Sequence, residues 1–291
     1  METALQPTAL DRCRQASDTP PFDLMTSLIA WVGADSRGPA SLYLASDSRI
    51  SWDSSASWDL GRKLFASAAQ ADVFGYCGDV LFPALALGQV MALADARLLR
   101  TGDAEARHRE VSDVLERSLA RFPANRRNAF TVLHGARQSE GMTAHFRLWR
   151  TDWTQHEGWA HSEVPVPSVS SLLAALGSGS DGVRNQDFKW SRSDAGRTSR
   201  AVFGAFCDAL AANSDPRSGG PPQLVGIYRT GTARAIGTVQ GGAAYLLGVP
   251  ILDHRSLANI EWRNELFERC DGESLQILDG AQPQPRPAGL G

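Results

Sequence analysis

Residues 26–33 read TSLIAWVG, a run of β-branched, aromatic and aliphatic residues that predicts a buried β-strand. Residues 1–25 before it are polar and irregular, with two prolines near their end. Residues 35–39, DSRGP, have the composition of a turn, and residues 41–47, SLYLASD, predict a strand that returns beside the first. We therefore expect the fold to begin with a β-hairpin at residue 26.

Beyond this hairpin the hydrophobic pattern predicts strands and helices in blocks. Two strands are followed by two helices, a second group of strands, one amphipathic helix and a final pair of strands. In chain order these are expected at residues 63–67, 72–77, 81–100, 103–122, 130–137, 144–150, 154–161, 202–210, 223–228 and 233–240. This order favours helices layered over antiparallel sheets rather than alternating βαβ units.

The composition argues against several classes of function. The 291 residues carry a net charge of −3, which gives no broad basic surface for nucleic acid or an anionic membrane. The longest apolar stretch, residues 80–99, is interrupted by Pro83, Gln89, Asp95 and Arg97, so no membrane span is expected. The four cysteines lie far apart and no signal peptide is recognisable, which favours a protein of the reducing cytoplasm.

Five short motifs stand out between residues 25 and 245. They are MTS at 25–27, ASDSR at 45–49, RKLF at 62–65, LGSGS at 176–180 and DPRSGG at 215–220, and Lys63 follows Asp47 by 16 residues. In order and spacing they resemble the proteasome β-subunit-type N-terminal-nucleophile (Ntn) hydrolases, in their bacterial proteasome-like (HslV/Anbu-like) branch. The resemblance implies an α+β fold over residues 26–270, a four-layer αββα sandwich with two antiparallel sheets between helix layers. Residues 271–291 are expected to form a Pro-rich, disordered tail.

The resemblance also implies a role for individual residues. A threonine hydroxyl is a poor nucleophile without a base, and an N-terminal threonine can use its own α-amine, so Thr26 would be the nucleophile of a threonine-type endopeptidase. Lys63 would stabilise the Thr26 alkoxide, and Asp47 would keep Lys63 charged and oriented. No metal or cofactor is implied. The remaining assignments are Ser178, Asp215 and Ser218 around the amine, Gly78 as the N–H donor to the oxyanion, and Arg49 in substrate binding.

A free amine at Thr26 requires that the 25 preceding residues be absent from the active protein. Residues 1–25 are therefore either a propeptide that is removed by self-cleavage or a mis-annotated N-terminal extension, with translation starting at Met25. Self-processing members of the family have glycine before the threonine. The methionine found here favours the second explanation.

The family resemblance implies a homo-oligomer, in the form of a ring or a spiral, that acts on peptides or unfolded proteins. An ATP-dependent unfoldase is implied as a partner by analogy alone. Two other functions stay open, a catalytically silent proteasome-like structural subunit and an Ntn amidase that acts on a small amide. A silent subunit has no need of the lysine, and a small-molecule amidase needs no enclosing chamber.

Residues 177–182 also match G-x-G-x-x-G, the dinucleotide-binding pattern. We discount this interpretation because the residues that follow do not predict a convincing helix and no βαβ unit surrounds them. Residues 181–200 are polar and resemble an insertion after the Gly-Ser-Gly motif. The sequence also has no H-x-x-x-H pair and no G-x-S-x-G, so it gives no support to zinc or α/β-hydrolase chemistry.

Overall fold

A computed structural model describes residues 26–52, 56–100, 102–252, 259–284 and 286–287 of the chain. Residues 1–25, the expected propeptide or extension, lie outside the described residues. The helices are α1 (Leu81–Asp95), α2 (Ala104–Arg121), α3 (Ser180–Ser191) and α4 (Ser199–Ala211). The strands are β1 (Leu28–Asp35), β2 (Gly38–Ser46), β3 (Ile50–Ser51), β4 (Ser57–Trp58), β5 (Leu64–Ala66), β6 (Asp72–Gly78), β7 (Phe130–Gln138), β8 (His145–Thr154), β9 (Gly158–Val164), β10 (Ser171–Leu176), β11 (Gln223–Tyr228), β12 (Arg234–Gln240), β13 (Ala243–Leu246), β14 (Val249–Pro250), β15 (Trp262–Asn264) and β16 (Arg269–Cys270).

The strands form two main sheets. The larger sheet has the order β10-β1-β2-β11-β12-β13-β14, with β15 paired to β12 and β16 paired to β15. The smaller sheet has the order β5-β6-β7-β8-β9, and β3 pairs with β4 in a separate hairpin. All named pairs are antiparallel except β12 with β15. The predicted mixed fold with antiparallel sheets is therefore confirmed.

Side chains that alternate along β1 pack into two different buried clusters, one on each face of the strand. Leu28 belongs to a buried cluster that also contains Leu133 and Leu148 of the smaller sheet, so the two sheets share a core. The next residue, Ile29, belongs to a second cluster with Phe203 of α4. Because neighbouring strand residues point to opposite faces, one short apolar run supplies both cores.

A third buried cluster joins the smaller sheet to α1 and α2. Phe74 and Phe130 come from the sheet, and Leu87 and Leu115 come from the two helices. Burying a side chain of this size contributes about 1.5–3 kcal/mol. The strands of both sheets are therefore packed in buried apolar clusters.

Helix α3 corrects the expectation for residues 181–200, which the sequence left unassigned. It covers Ser180–Ser191 and directly follows the Gly-Ser-Gly motif. Val183 and Trp190 are its buried residues, and Trp190 Nε1 donates to Asp208 Oδ2 of α4 at 2.8 Å. Two buried apolar residues among twelve give too weak a helical pattern of hydrophobicity to be recognised from the sequence. Packing against α4 stabilises the helix instead.

The C-terminal segment packs against the rest of the chain over its described residues, 259–284 and 286–287, which include part of the expected disordered tail at residues 271–291. Phe267 packs against Trp31 and Tyr43 of the larger sheet, with ring centroids 6.0 and 5.3 Å away. Further along, Gln284 is buried and Arg286 Nη1 lies 2.6 Å from Asp208 Oδ1. Phe267 lies in the predicted domain, whereas Gln284 and Arg286 lie in the Pro-rich range 271–291, where these contacts attach the chain to the folded part.

No helix in the described part of the chain has the length and apolar character needed to cross a bilayer.

Candidate active site

The strand order brings the predicted site residues together at one end of the central strands of the larger sheet. In the antiparallel order β10-β1-β2-β11, Leu28 at the start of β1 lies opposite both Leu176 and Ser46, and Gln223 at the start of β11 also pairs with Ser46. The segments just beyond these strand ends must therefore meet. These segments carry Thr26, Asp47, Ser178, Asp215 and Ser218. Lys63 lies just before β5 of the smaller sheet.

Lys63 connects the two residues expected to matter most. Its Nζ lies 2.7 Å from Thr26 Oγ1 and 2.8 Å from Asp47 Oδ1. Lys63 and Asp47 are fully buried, and Thr26 is 2% exposed. Burial lowers the pKa of Lys63 and the Asp47 carboxylate acts in the opposite direction, so the ammonium is held in a site that makes its proton easier to lose.

The Asp47 carboxylate is held on both oxygens. Oδ1 accepts hydrogen bonds from Lys63 Nζ and from the Ser27 backbone N–H at 3.0 Å. Oδ2 accepts from the backbone N–H groups of Arg49 at 3.1 Å and Gly219 at 3.0 Å. A buried carboxylate with four donors is satisfied in place and keeps one orientation.

A second acidic group, Asp215, organises the hydroxyls of the site. Its Oδ2 accepts from Ser178 Oγ at 2.5 Å and from Ser218 Oγ at 2.9 Å, and Ser27 Oγ donates to Ser218 Oγ at 3.0 Å. Burial acts to raise the pKa of Asp215, but the hydrogen bonds from Ser178, the Arg217 backbone and Ser218 prevail and the pKa lies below its ordinary value. The network is therefore anionic near neutral pH.

The glycines of the Gly-Ser-Gly motif permit close contact with the start of the fold. A Cβ on Gly177 would lie 2.0 Å from the Thr26 carbonyl oxygen, and a Cβ on Gly179 would lie 1.9 Å from Ser27 Oγ. The Gly179 N–H also donates to the Thr26 carbonyl at 3.3 Å. The motif therefore packs directly against the Thr26 carbonyl and the Ser27 hydroxyl.

Gly177→Ala is expected to destabilise the fold strongly and to displace Thr26. Its φ of +85° already disfavours a side chain, at about 1–3 kcal/mol, and the clash with the Thr26 carbonyl adds to that cost. Gly231→Ala is the matched control, because Gly231 has a φ of +78° but nothing within 4 Å of its ideal Cβ. In urea unfolding we expect Gly177→Ala to lose at least about 2 kcal/mol more than the control. Equal losses would show that the contact with Thr26 is not tight.

The roles expected for Gly78 and Arg49 depend on a bound substrate, and the structure shows only where the two residues lie. Gly78 is the last residue of β6, with a φ of +94°, and its role as oxyanion donor stays a prediction. The Arg49 guanidinium donates to both oxygens of Asp59 at 2.7 and 2.9 Å and to the Pro216 carbonyl at 3.0 Å. Arg49 thus ties two loops of the site together, and its substrate-binding role also stays a prediction.

Three contributors to the site were not predicted from sequence. Ser27 and Gly219 supply hydrogen bonds to the network described above, and Gln223 is a fully buried amide at the first position of β11. Ser27 and Gly219 lie within the quoted motifs but were given no role. A glutamine at the start of an apolar strand, just after DPRSGG, was the available signal for Gln223.

The described residues contain no group of three or more His, Cys, Asp or Glu side chains arranged to hold a metal ion.

The chain matches no protein-family model and no curated protein sequence. It is similar in structure to a Thiobacillus denitrificans protein described as BPH in complex with Epoxomicin, with 15% identity and a TM-score of 0.45 over 70% of this chain and 99% of that one. It is similar to eukaryotic HslV from Trypanosoma brucei, with 11% identity and a TM-score of 0.44 over 69% and 99% of the two chains. It is also similar to Anbu from the helical assembly of Pseudomonas aeruginosa, with 12% identity and a TM-score of 0.49 over 79% and 88%. Similarity at this level carries no functional conclusion, so function is inferred from the site geometry.

Proposed function

We propose that this chain is an N-terminal-nucleophile hydrolase that cleaves peptide bonds with Thr26 as its nucleophile. The observation that carries the proposal is the buried contact of Lys63 Nζ with Thr26 Oγ1 at 2.7 Å and with Asp47 Oδ1 at 2.8 Å. A solvated lysine at a sheet edge would make neither contact. A lysine that is buried between a hydroxyl and a carboxylate is the arrangement that activates a hydroxyl.

The proposed reaction proceeds through an acyl-enzyme. The free α-amine of Thr26, with an ordinary pKa of about 7.7–8.0, accepts the hydroxyl proton as Oγ1 attacks the peptide carbonyl. Lys63 stabilises the developing charge on Oγ1, and the Gly78 N–H is proposed to donate to the oxyanion. The amine returns its proton to the leaving nitrogen, and water then hydrolyses the ester to release the acid product and restore Thr26.

The use of lysine at position 63 supports this role, because the chain hardly uses lysine elsewhere. Of its 29 Lys and Arg residues only Lys63 and Lys189 are lysines. Buried ion pairs elsewhere use arginine, as in Arg107 with Asp72 at 3.0 Å. A lysine ammonium is a compact charge that contacts both Thr26 Oγ1 and Asp47 Oδ1 here, whereas an arginine guanidinium is larger and planar.

The remaining parts of the proposal come from the family resemblance. They are the four-layer αββα arrangement, a homo-oligomeric ring or spiral, a peptide or unfolded-protein substrate, an ATP-dependent unfoldase partner and a cytoplasmic location. The complete set of Thr26, Asp47 and Lys63 in hydrogen-bonding contact favours an active enzyme over a silent structural subunit. An amidase for a small amide would use the same site without an enclosing assembly.

The N-terminus of the mature protein tests the proposal most directly, because the mechanism requires the Thr26 amine to be free. Thr26 has a φ of +115°, a region in which a β-branched residue is strained at a cost of about 1–3 kcal/mol. A chain that begins at Thr26 has no preceding carbonyl to cause that strain. We expect the intact mass and N-terminal sequence of the protein expressed from Met1 or from Met25 to give a chain that starts at Thr26. A protein that keeps its preceding residues in both preparations would overturn the enzymatic proposal.

A further inference from the structure

Gln223 joins the segment that carries Asp47 to the segment that carries Lys63. It is the first residue of β11, it is fully buried, and its amide has five hydrogen-bond partners. We propose that Gln223 is a positioning residue of the active site, which holds Lys63 and Asp47 at the separation that Thr26 requires. This inference rests on the proposed function and assigns a role that the five sequence motifs do not include.

The oxygen of the Gln223 amide holds the backbone at Lys63. Oε1 accepts from the Lys63 N–H at 3.0 Å and from the Leu64 N–H at 3.3 Å. Lys63 precedes β5, whose ladder to β6 begins with Leu64 opposite Gly75. A backbone N–H that is buried here needs a partner, and the glutamine provides it.

The nitrogen of the same amide holds the backbone near Asp47. The two hydrogens on Nε2 are shared among three acceptors, the Asp47 carbonyl at 3.2 Å, Ser48 Oγ at 3.0 Å and the Gly61 carbonyl at 2.7 Å. Ser48 Oγ in turn donates to the Pro221 carbonyl at 2.6 Å, which leaves its lone pairs free to accept from Gln223. The amide is therefore oriented by its neighbours, since its oxygen faces N–H groups and its nitrogen faces acceptors.

This connection matters because the two catalytic groups come from different sheets. Asp47 follows β2 of the larger sheet, and Lys63 precedes β5 of the smaller sheet. Sheet packing by apolar side chains is not directional, so it does not fix a 2.8 Å contact between Lys63 Nζ and Asp47 Oδ1. Directional bonds from one side chain to both segments do fix it, and a displacement of about 1 Å in an active site can cost about 10²-fold in rate.

The scarcity of lysine allows the contact to be measured at a single position. Selective ¹⁵N-lysine labelling of the full chain gives two backbone amide signals, one from Lys63 and one from Lys189 in the exposed part of α3. In Gln223→Met the Lys63 N–H loses its acceptor, so we expect its hydrogen exchange to accelerate by at least about 10-fold while Lys189 is unchanged. We expect kcat for fluorescein-labelled unfolded casein to fall about 10²-fold with KM within about twofold, because the variant misplaces groups that act in the transition state.

Two further variants separate positioning from general destabilisation. Gln223→Glu keeps an acceptor for Lys63 but lacks the amide donors to Asp47 and Gly61, so it is expected to protect the Lys63 N–H and still lower kcat. Gln70→Met makes the same change at a buried glutamine in the turn between β5 and β6, where the side chain donates to the Leu99 carbonyl at 3.4 Å and to no other group among the described residues. We expect Gln70→Met to keep both the wild-type kcat and the wild-type exchange of Lys63.

Retention of wild-type kcat by Gln223→Met or Gln223→Glu, beside an active wild type, would overturn the role of Gln223 and leave the proposed function standing. Unchanged Lys63 exchange in Gln223→Met would do the same. If Gln223→Met fails to fold, the kcat of Gln223→Glu decides the outcome. A wild-type chain that begins at Thr26 and cleaves nothing would instead overturn the proposed function, and the positioning role with it.

Discussion

Thr26→Ala is expected to reduce peptide hydrolysis by at least about 10⁴-fold, which is the scale on which nucleophile removal acts in hydrolases of this kind. The variant removes the only hydroxyl that Lys63 Nζ contacts in the described structure, at 2.7 Å, and leaves Asp47 in place. The fold should persist, because Thr26 precedes β1 and does not belong to the buried apolar clusters. Initial rates on labelled casein, together with the thermal unfolding temperature, measure the two effects separately.

The matched control for Thr26→Ala is Thr151→Ala in β8. Thr151 is also buried, at 3% exposure, and its hydroxyl lies 3.1 Å from His161 Nδ1, away from the proposed site. We expect this control to be somewhat less stable but to keep its activity. Full activity in Thr26→Ala would rule out both the peptidase and the amidase.

The mass of the Thr26→Ala protein expressed from Met1 also distinguishes the two origins of the N-terminus. If residues 1–25 are removed by self-cleavage, the variant should keep them. If translation starts at Met25, the wild type and the variant expressed from Met1 should both keep these residues, and both proteins expressed from Met25 should lose the methionine.

Lys63→Arg is expected to lower kcat by about 10³-fold although it retains the positive charge. The site is fully buried and has room for one ammonium between Thr26 Oγ1 and Asp47 Oδ1. A guanidinium is larger and planar, and it does not release a proton at any physiological pH. The arginine variant therefore keeps the charge but not the position that Lys63 Nζ has between the two oxygens.

Lys63→Met would test charge in addition to shape. Removing one member of a buried ion pair leaves Asp47 without its cation, which typically costs about 3–5 kcal/mol of stability. The internal control for both substitutions is Lys189→Arg, because Lys189 is the other lysine of the chain and is exposed on α3. Activity of Lys63→Arg within about tenfold of wild type would show that position 63 requires only a charge.

The sequence predicted much of the fold because its main elements have strong local patterns. The strand at residues 26–33 and the helix at 103–122 were expected within a few residues of β1 and α2, and α2 begins after Asp103, whose side chain accepts from the Glu105 and Ala106 N–H groups. Helix α1 ends at Asp95, earlier than the expected residue 100, and Arg97 beyond it has a positive φ of 56°. Helix α3 was missed because few of its twelve residues are apolar, and no strand was predicted for the segment after residue 258.

The sequence motifs are sufficient to predict that Thr26, Asp47 and Lys63 lie together. The contacts between these side chains, the four donors to Asp47 and the connection that Gln223 makes between the two sheets follow from tertiary packing and are not visible in the motifs. The two kinds of feature depend on interactions of different range. Local periodicity and turn chemistry act over a few residues and can be read along the chain, whereas the bond between Gln223 and Lys63 spans 160 residues and exists only once both sheets have packed.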